Sequence, residues 1–208
     1  TTADPVLGLR PPTESEMDSI QQRLGFADDP RPLVIINFAY GLDRRDALLD
    51  FIAQSADYLV QQFGVRLLFI PMNVLAATDR AGMQLVLERM DHAESASILP
   101  MPYAHEEVLA LVRSAALIIS SRMHLLILAA LVCAPVVGIS RVPKVDAFLA
   151  RYGMSAGAST EDLDFAAFQL VLDQAWENRS VIQARLEGER ERLSEIARSN
   201  AHYFEEIL

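Results

Sequence analysis

Short apolar runs rich in β-branched residues alternate with stretches of helical periodicity from Arg31 to about Ala158, and this alternation restricts the fold more than any other feature. "PLVIINF" is continuous and apolar, as a strand buried on both faces should be. Leu48, Phe51, Ile52, Leu59 and Phe63 then mark one stripe of a helix, which Gly64 ends. "VRLLFIP" reads as the second strand, followed by a helix around Arg80–Met90. "SASILP" is the third strand, "HEEVLALVRSA" a helix and "ALIIS" the fourth strand. "MHLLILAALVC" is helical, "APVVGIS" is the fifth strand, and "KVDAFLARYG" is a helix stopped by Gly153. A short sixth strand is predicted near Met154–Ala158. Strand and helix at this spacing require right-handed crossovers and a parallel sheet covered on both faces. The fold class is therefore α/β, a Rossmann-like parallel sheet with helices on both faces and closing C-terminal helices.

This pattern places the Rossmann-like domain at residues 31–160. Residues 1–30 are rich in Pro, Asp and Glu, with an amphipathic patch at Met17, Ile20 and Leu24, and read as a linker plus one short helix. Residues 161–208 read as helices that pack on the domain or toward a missing N-terminal half. In the last of them Ile182, Leu186, Leu193, Ile196, Asn200, Tyr203 and Ile207 recur at helical spacing, and "EGERERL" lines the wet side.

At 208 residues and 51% apolar, the chain can bury a substantial core. Its net charge of −10 argues against general nucleic-acid binding, which needs a basic footprint. The one cysteine, Cys133, excludes an intrachain disulfide and reads as a small core residue in a reducing compartment. The longest apolar run, Leu125–Ile139, is broken by Pro135 and Gly138 and falls short of the roughly 20 residues of a membrane span. The chain begins Thr-Thr-Ala-Asp-Pro, without methionine, and reads as a piece of a longer protein.

Ligands of such sheets sit beyond the carboxyl ends of the strands. After "ALIIS", Ser120 and Ser121 form the turn, and Arg122, Met123 and His124 fall at the first turn of the next helix. A helix N-terminus favours anions, and the planar fork of arginine holds carboxylate or phosphate through two bonds. Cations there oppose the helix dipole, so a ligand accounts for them better than folding does. The next strand repeats the theme, with Arg141 and Lys144 in the turn after "VVGIS". No acidic residue lies between Glu107 and Asp146, in a chain with 28 acidic and 18 basic residues. The sign of the charge is locally reversed, as an anion site requires. His124, two residues after Arg122, is a candidate acid or base. Asn37 and Tyr40, at the tip of the first strand, are candidate ligand contacts, and Ser121 joins them in the turn before Arg122. Asn73 ends the second strand, where turn chemistry explains it equally well, and His105 with Glu106 reads as a helix start.

"ISSRMHLLILAALVCAPVVGISRVPKV" resembles the C-terminal signature of the polysaccharide pyruvyl transferase family: Arg-x-His, an apolar helix, a small residue with Pro, a strand and a Lys-bearing turn. "ADPVLGL" is similar to the family's lead out of its N-terminal half, and "YAHEEVLALVRSAALII" stands where the family has the helix and strand before its Arg-x-His. The resemblance covers most of residues 3–155 and is specific between about Ala115 and Lys144. It implies one half of a GT-B-like fold and transfer of pyruvate from phosphoenolpyruvate to a saccharide acceptor as a cyclic ketal. It further implies that Arg122, Lys144 and Arg141 hold the donor's phosphate and carboxylate while His124 donates a proton or hydrogen bond. No cofactor and no metal are implied. The partners expected are the donor, the sugar and the missing N-terminal domain of the same protein, in the cytoplasm, with peripheral membrane association if the acceptor is lipid-linked. The chain departs from the family at two places: Arg141 stands where tyrosine is usual, and Asn37, Phe38 and Ala39 end the first strand where a basic residue is expected. The alternatives are a GT-B sugar-nucleotide glycosyltransferase domain and a non-catalytic homologue acting as a binding module. A redox dehydrogenase is disfavoured, because no G-x-G-x-x-G follows the first strand.

Overall fold

A computed structural model describes residues 12–23, 25, 29–40, 46–72 and 78–190. Asn73, Leu24, the segment 3–9 and positions 193–207 of the last predicted helix lie outside the described residues. The elements run α1 (Glu14–Arg23), β1 (Leu33–Asn37), α2 (Asp46–Phe63), β2 (Arg66–Phe69), α3 (Thr78–Leu87), β3 (Ala96–Ile98), α4 (His105–Ser114), β4 (Leu117–Ser120), α5 (Met123–Val132), β5 (Val136–Ser140), α6 (Pro143–Arg151), β6 (Ala158–Ser159) and α7 (Phe165–Glu177). Residues 179–190 are again helical.

The six strands lie in the order β3-β2-β1-β4-β5-β6, and every neighbouring pair is parallel. The chain thus steps outward from β1 to β3, returns to the other side of β1, and steps outward again. The order reverses between β1 and β4, where Asn37 is in register with Ser120 at the carboxyl ends. Helices leave these two strands on opposite faces of the sheet, which opens a crevice above the strand tips.

Alternate residues of β1 show the two-sided burial directly. Leu33 and Ile35 pack with Leu68, Ile118 and the inner faces of α4, α5 and α6. Val34 and Ile36 pack with Leu67, Phe69 and the inner faces of α2, α3 and α7. A strand with cover on both sides has no polar alternation, hence the continuous apolar runs. Helix α5 buries Leu125, Leu126, Ile127, Ala129, Ala130 and Leu131, nearly its whole circumference. It packs on β4 and β5 and against its neighbours α4 and α6.

Helix α7 packs back on the sheet domain. Phe168, Leu172 and Ala175 are buried beneath it, and the Phe51 and Phe168 rings lie 4.9 Å apart. Phe63 stacks on Trp176 at 4.6 Å. Leu186, in the helical stretch that follows, is buried with the side chains of the opposite face.

Several boundaries differ from the sequence reading: α3 spans Thr78–Leu87 where the sequence predicts a helix around Arg80–Met90, and Ser120, read as turn, ends β4. Helix α6 starts at Pro143, whose fixed φ and missing N–H suit a first helical position. Strand β6 comes at Ala158–Ser159, because the chain first comes alongside β5 where the Gly157 N–H donates to the Gly138 carbonyl at 2.8 Å. Cys133 is buried and ends α5 with φ of 57°, a left-handed cap for which glycine is favoured. Burial pushes its thiol pKa up, in keeping with a core residue rather than a reactive one. Among the described residues no helix is long and apolar enough to cross a membrane.

Candidate active site

The tips of three adjacent strands are tied together by buried side chains. The Asn37 Nδ2 donates to the Ile70 carbonyl just past β2 at 2.6 Å, and its Oδ1 accepts from the Ser120 hydroxyl at 3.2 Å. The Ser120 Oγ accepts in turn from the Arg122 N–H at 3.0 Å. The Ser121 N–H donates to the Asn37 carbonyl at 3.1 Å, while the Ser121 Oγ accepts from the Ala39 N–H at 2.9 Å. Asn37 is fully buried and Ser121 nearly so, and both side chains are engaged in these bonds. The geometry makes them braces: they fix where β1 ends and how the loop carrying Arg122 leaves β4. Buried polar groups that are satisfied in this way hold one backbone path.

Arg122 is the N-cap residue of α5, and His124 is the second residue of that helix. The fold therefore brings the Arg-x-His pair to the switch point between β1 and β4. The His124 imidazole is exposed, and no described residue bonds to it. Arg122 is part-buried, and its Nη2 donates to Oδ1 of Asp79 in a close ion pair. Asp79 stands in the first turn of α3 and is fully buried. Its Oδ2 accepts from the Met72 N–H at 3.2 Å.

Asp79 corrects the charge count made along the sequence. The stretch from Glu107 to Asp146 is free of acids, but the strand order carries in a carboxylate from 43 positions before Arg122. Its signal in the sequence is an aspartate at the start of the helix after the second strand, where the helix dipole welcomes a negative charge. The hydroxyl of Tyr103 donates to the Pro71 carbonyl on the same side. Burial, aided by the nearby negative charge of Asp79, pushes the Tyr103 pKa up, so this phenol stays a neutral donor.

The second pair of cations stands at the next strand end. Arg141 follows β5 directly, and Lys144 is the second residue of α6. Both are exposed, and among the described residues neither has an ion-pair partner. Ser140 donates to Asp146 Oδ2 at 2.6 Å, which closes the turn that presents them. Because β4 and β5 are neighbours, the N-termini of α5 and α6 face the same end of the sheet. Two dipole ends and their cations form an anion-attracting rim there.

Tyr40 is half-buried just past β1 and leans on α3 at Gly82. A Cβ on Gly82 would lie 2.6 Å from Tyr40 Cβ and Cγ, close to the backbone, where little can yield. Gly82→Ala is therefore expected to push Tyr40 off the helix. The overlap costs about 1–3 kcal/mol and outweighs the roughly 1 kcal/mol that alanine gains in a helix. A lower urea midpoint at unchanged m-value would show this, and an unchanged or higher midpoint would show that Tyr40 is free to move.

Among the described residues, no group of three or more His, Cys, Asp or Glu side chains is placed to hold a metal ion. The family model for polysaccharide pyruvyl transferase matches residues 1–141, a span that takes in Asn37, Tyr40, Asp79, Ser121, Arg122, His124 and Arg141. The chain belongs to the polysaccharide pyruvyl transferase family. Lys144 lies just beyond the matched span. Comparison with curated proteins gives no match. Among solved structures, a UDP-GlcNAc 2-epimerase from Neisseria meningitidis bound to UDP-GlcNAc aligns with a TM-score of 0.66 at 11% identity, over 93% of this chain and 50% of its own. The E. coli ADP-heptose LPS heptosyltransferase II aligns with a TM-score of 0.61 at 14% identity, over 81% and 53%. WaaG, a glycosyltransferase involved in lipopolysaccharide biosynthesis, aligns with a TM-score of 0.55 at 13% identity, over 91% and 51%. Identities this low establish the fold alone. The chain spans about half the length of these structures, and this pyruvyl transferase-family domain has the fold of one half of a GT-B glycosyltransferase.

Proposed function

We propose that this domain holds phosphoenolpyruvate at the β1/β4 switch point and that the protein transfers its pyruvyl group to two hydroxyls of a saccharide as a cyclic ketal. The observation that carries the reading is the Arg122–His124 pair at the N-terminus of α5, set at the switch point of a chain of this family. The donor bears a phosphate and a carboxylate, so it needs cationic contacts on two sides. Arg122 reaches it from β4, and Lys144 with Arg141 reaches it from β5. One sugar hydroxyl adds to the enol carbon, C2, whose double-bond electrons take a proton at C3 to give the methyl group. The second hydroxyl adds to C2 as the C–O bond to phosphate breaks. Of the two hydroxyl protons released, one balances that gained at C3 and the other leaves with phosphate. His124, exposed beside Arg122, delivers the proton at C3 or donates a hydrogen bond to the departing phosphate. The acceptor sugar is then read largely by a facing half outside this chain. The supply of phosphoenolpyruvate puts the reaction in the cytoplasm, next to the membrane where the acceptor is lipid-linked.

Thermal-shift titration tests the reading. Phosphoenolpyruvate at about 100 times its dissociation constant should add roughly 2.7 kcal/mol, a rise of about 5–10 °C in Tm, and Arg122→Ala should abolish the response. Stabilisation by a uridine sugar nucleotide alone would replace this reading with the sugar-nucleotide glycosyltransferase that the GT-B neighbours resemble. Stabilisation by neither ligand would leave a non-catalytic member of the family.

A further inference from the structure

Asp79 lies outside the Arg-x-His signature and is paired with its arginine. A carboxylate is among the most expensive groups to bury, and it persists only where charge and hydrogen bonds meet it. Asp79 is fully buried, and several such influences meet it among the described residues. It lies in the first turn of α3, it accepts the Met72 N–H at 3.2 Å, and it receives Nη2 of Arg122. The carboxylate thereby clamps the guanidinium to the end of β2. A guanidinium is a rigid planar fork, so fixing one nitrogen fixes the direction of the others. The Arg122 Nε is buried, with no hydrogen-bond partner among the described residues.

We infer that Asp79 is a positioning residue of the site: it sets the plane of the Arg122 guanidinium at the switch point and compensates its charge until an anionic donor arrives. The inference rests on the proposed role of Arg122 as a donor contact. It also resolves the mismatch of a cation at a helix N-terminus, since the pair as a whole is neutral toward the α5 dipole. Orientation at the reacting group then comes from the Asp79–Arg122 clamp, and net attraction for the anion comes from exposed Arg141 and Lys144.

Two opposed effects follow for Asp79→Asn. Loss of the carboxylate frees a positive charge on Arg122, which tightens ground-state anion binding. Loss of the clamp lets the guanidinium turn, which weakens stabilisation of the transition state. With inorganic phosphate as probe, the dissociation constant should fall about tenfold at low salt, and the gain should shrink as salt is added. With phosphoenolpyruvate and a saccharide acceptor, kcat should fall about 100-fold while KM for the donor does not rise. The Arg122 Nε–H resonance, sharp and separate in the wild type, should broaden or merge with the solvent-exposed arginines. Asp79→Glu restores the charge but not the geometry, so it should return phosphate affinity to the wild-type value and leave kcat low. It also carries the kinetic comparison should the asparagine variant fail to fold. Phosphate bound no more tightly by Asp79→Asn, together with an unchanged Arg122 resonance, would overturn the inference and leave Asp79 a packing residue. A wild-type protein that binds neither phosphate nor phosphoenolpyruvate would overturn the donor reading instead. The Arg122 resonance would then still decide whether Asp79 orients it.

Discussion

Arg122→Ala should lower the stability of the fold by about 3 kcal/mol, and adding Asp79→Asn to it should restore most of that loss. Removing one partner of a buried ion pair leaves the other charge uncompensated, which costs about 3–5 kcal/mol. Asp79 is the fully buried partner, so the larger cost follows the loss of its arginine. The side chain of Arg122 is 27% exposed, and water that enters its place keeps the effect near the lower bound. The fall in Tm should be about 6–12 °C. Asp79→Asn alone should cost only about 1 kcal/mol, since Arg122 can turn toward water and the amide still accepts from the Met72 N–H. In the double variant a neutral amide replaces a buried carboxylate that has lost its arginine, so the double should be more stable than Arg122→Ala by itself. Urea midpoints for the four proteins give the coupling directly. Additive effects would mean that the two groups do not interact in the folded state, and the site would then hold an uncompensated arginine.

The cycle also marks the boundary of what the sequence could convey. The sheet was legible because strands covered on both faces must be apolar throughout, and "PLVIINF", "ALIIS" and "APVVGIS" meet that demand in register with the structure. The place of the Arg-x-His pair was legible too, because a strand followed at once by a helix fixes a residue at the strand tip. The partner of Arg122 was not. Asp79 pairs with it through the return of the chain from β3 to β4, and a strand order of that kind leaves no trace in local spacing. Asn37 and Ser121 show the same limit in another form. Their polarity and their position at strand tips suggested contact with a ligand, but burial and bonding between strands are properties of the assembled tips. Tyr40 and Gly82 lie on different elements, and only the packed structure shows that the absent side chain of one makes room for the ring of the other. Arg141 and Lys144 were more accessible to reasoning, because exposed residues of a turn depend little on distant parts of the chain.

His124→Ala should separate chemistry from architecture at the same strand end. The imidazole is exposed and bonds to no described residue, so its removal should change stability by no more than about 0.5 kcal/mol. Turnover should fall by about 10²–10⁴, the usual contribution of a positioned proton donor. Donor binding should survive, because the cationic contacts are made by other side chains, and phosphoenolpyruvate should still raise Tm in the variant. Phosphate release from phosphoenolpyruvate in the presence of a saccharide acceptor measures the rate. His124→Asn then distinguishes the two roles open to the ring. An amide can donate a hydrogen bond to a departing phosphate but cannot deliver a proton to carbon. Recovery of most of the rate by asparagine would assign His124 to the leaving group. A rate as low as that of alanine, with donor binding intact, would assign it to protonation at C3. Full activity in His124→Ala would remove the histidine from the reaction and return the proton transfer to water or to the facing half of the cleft.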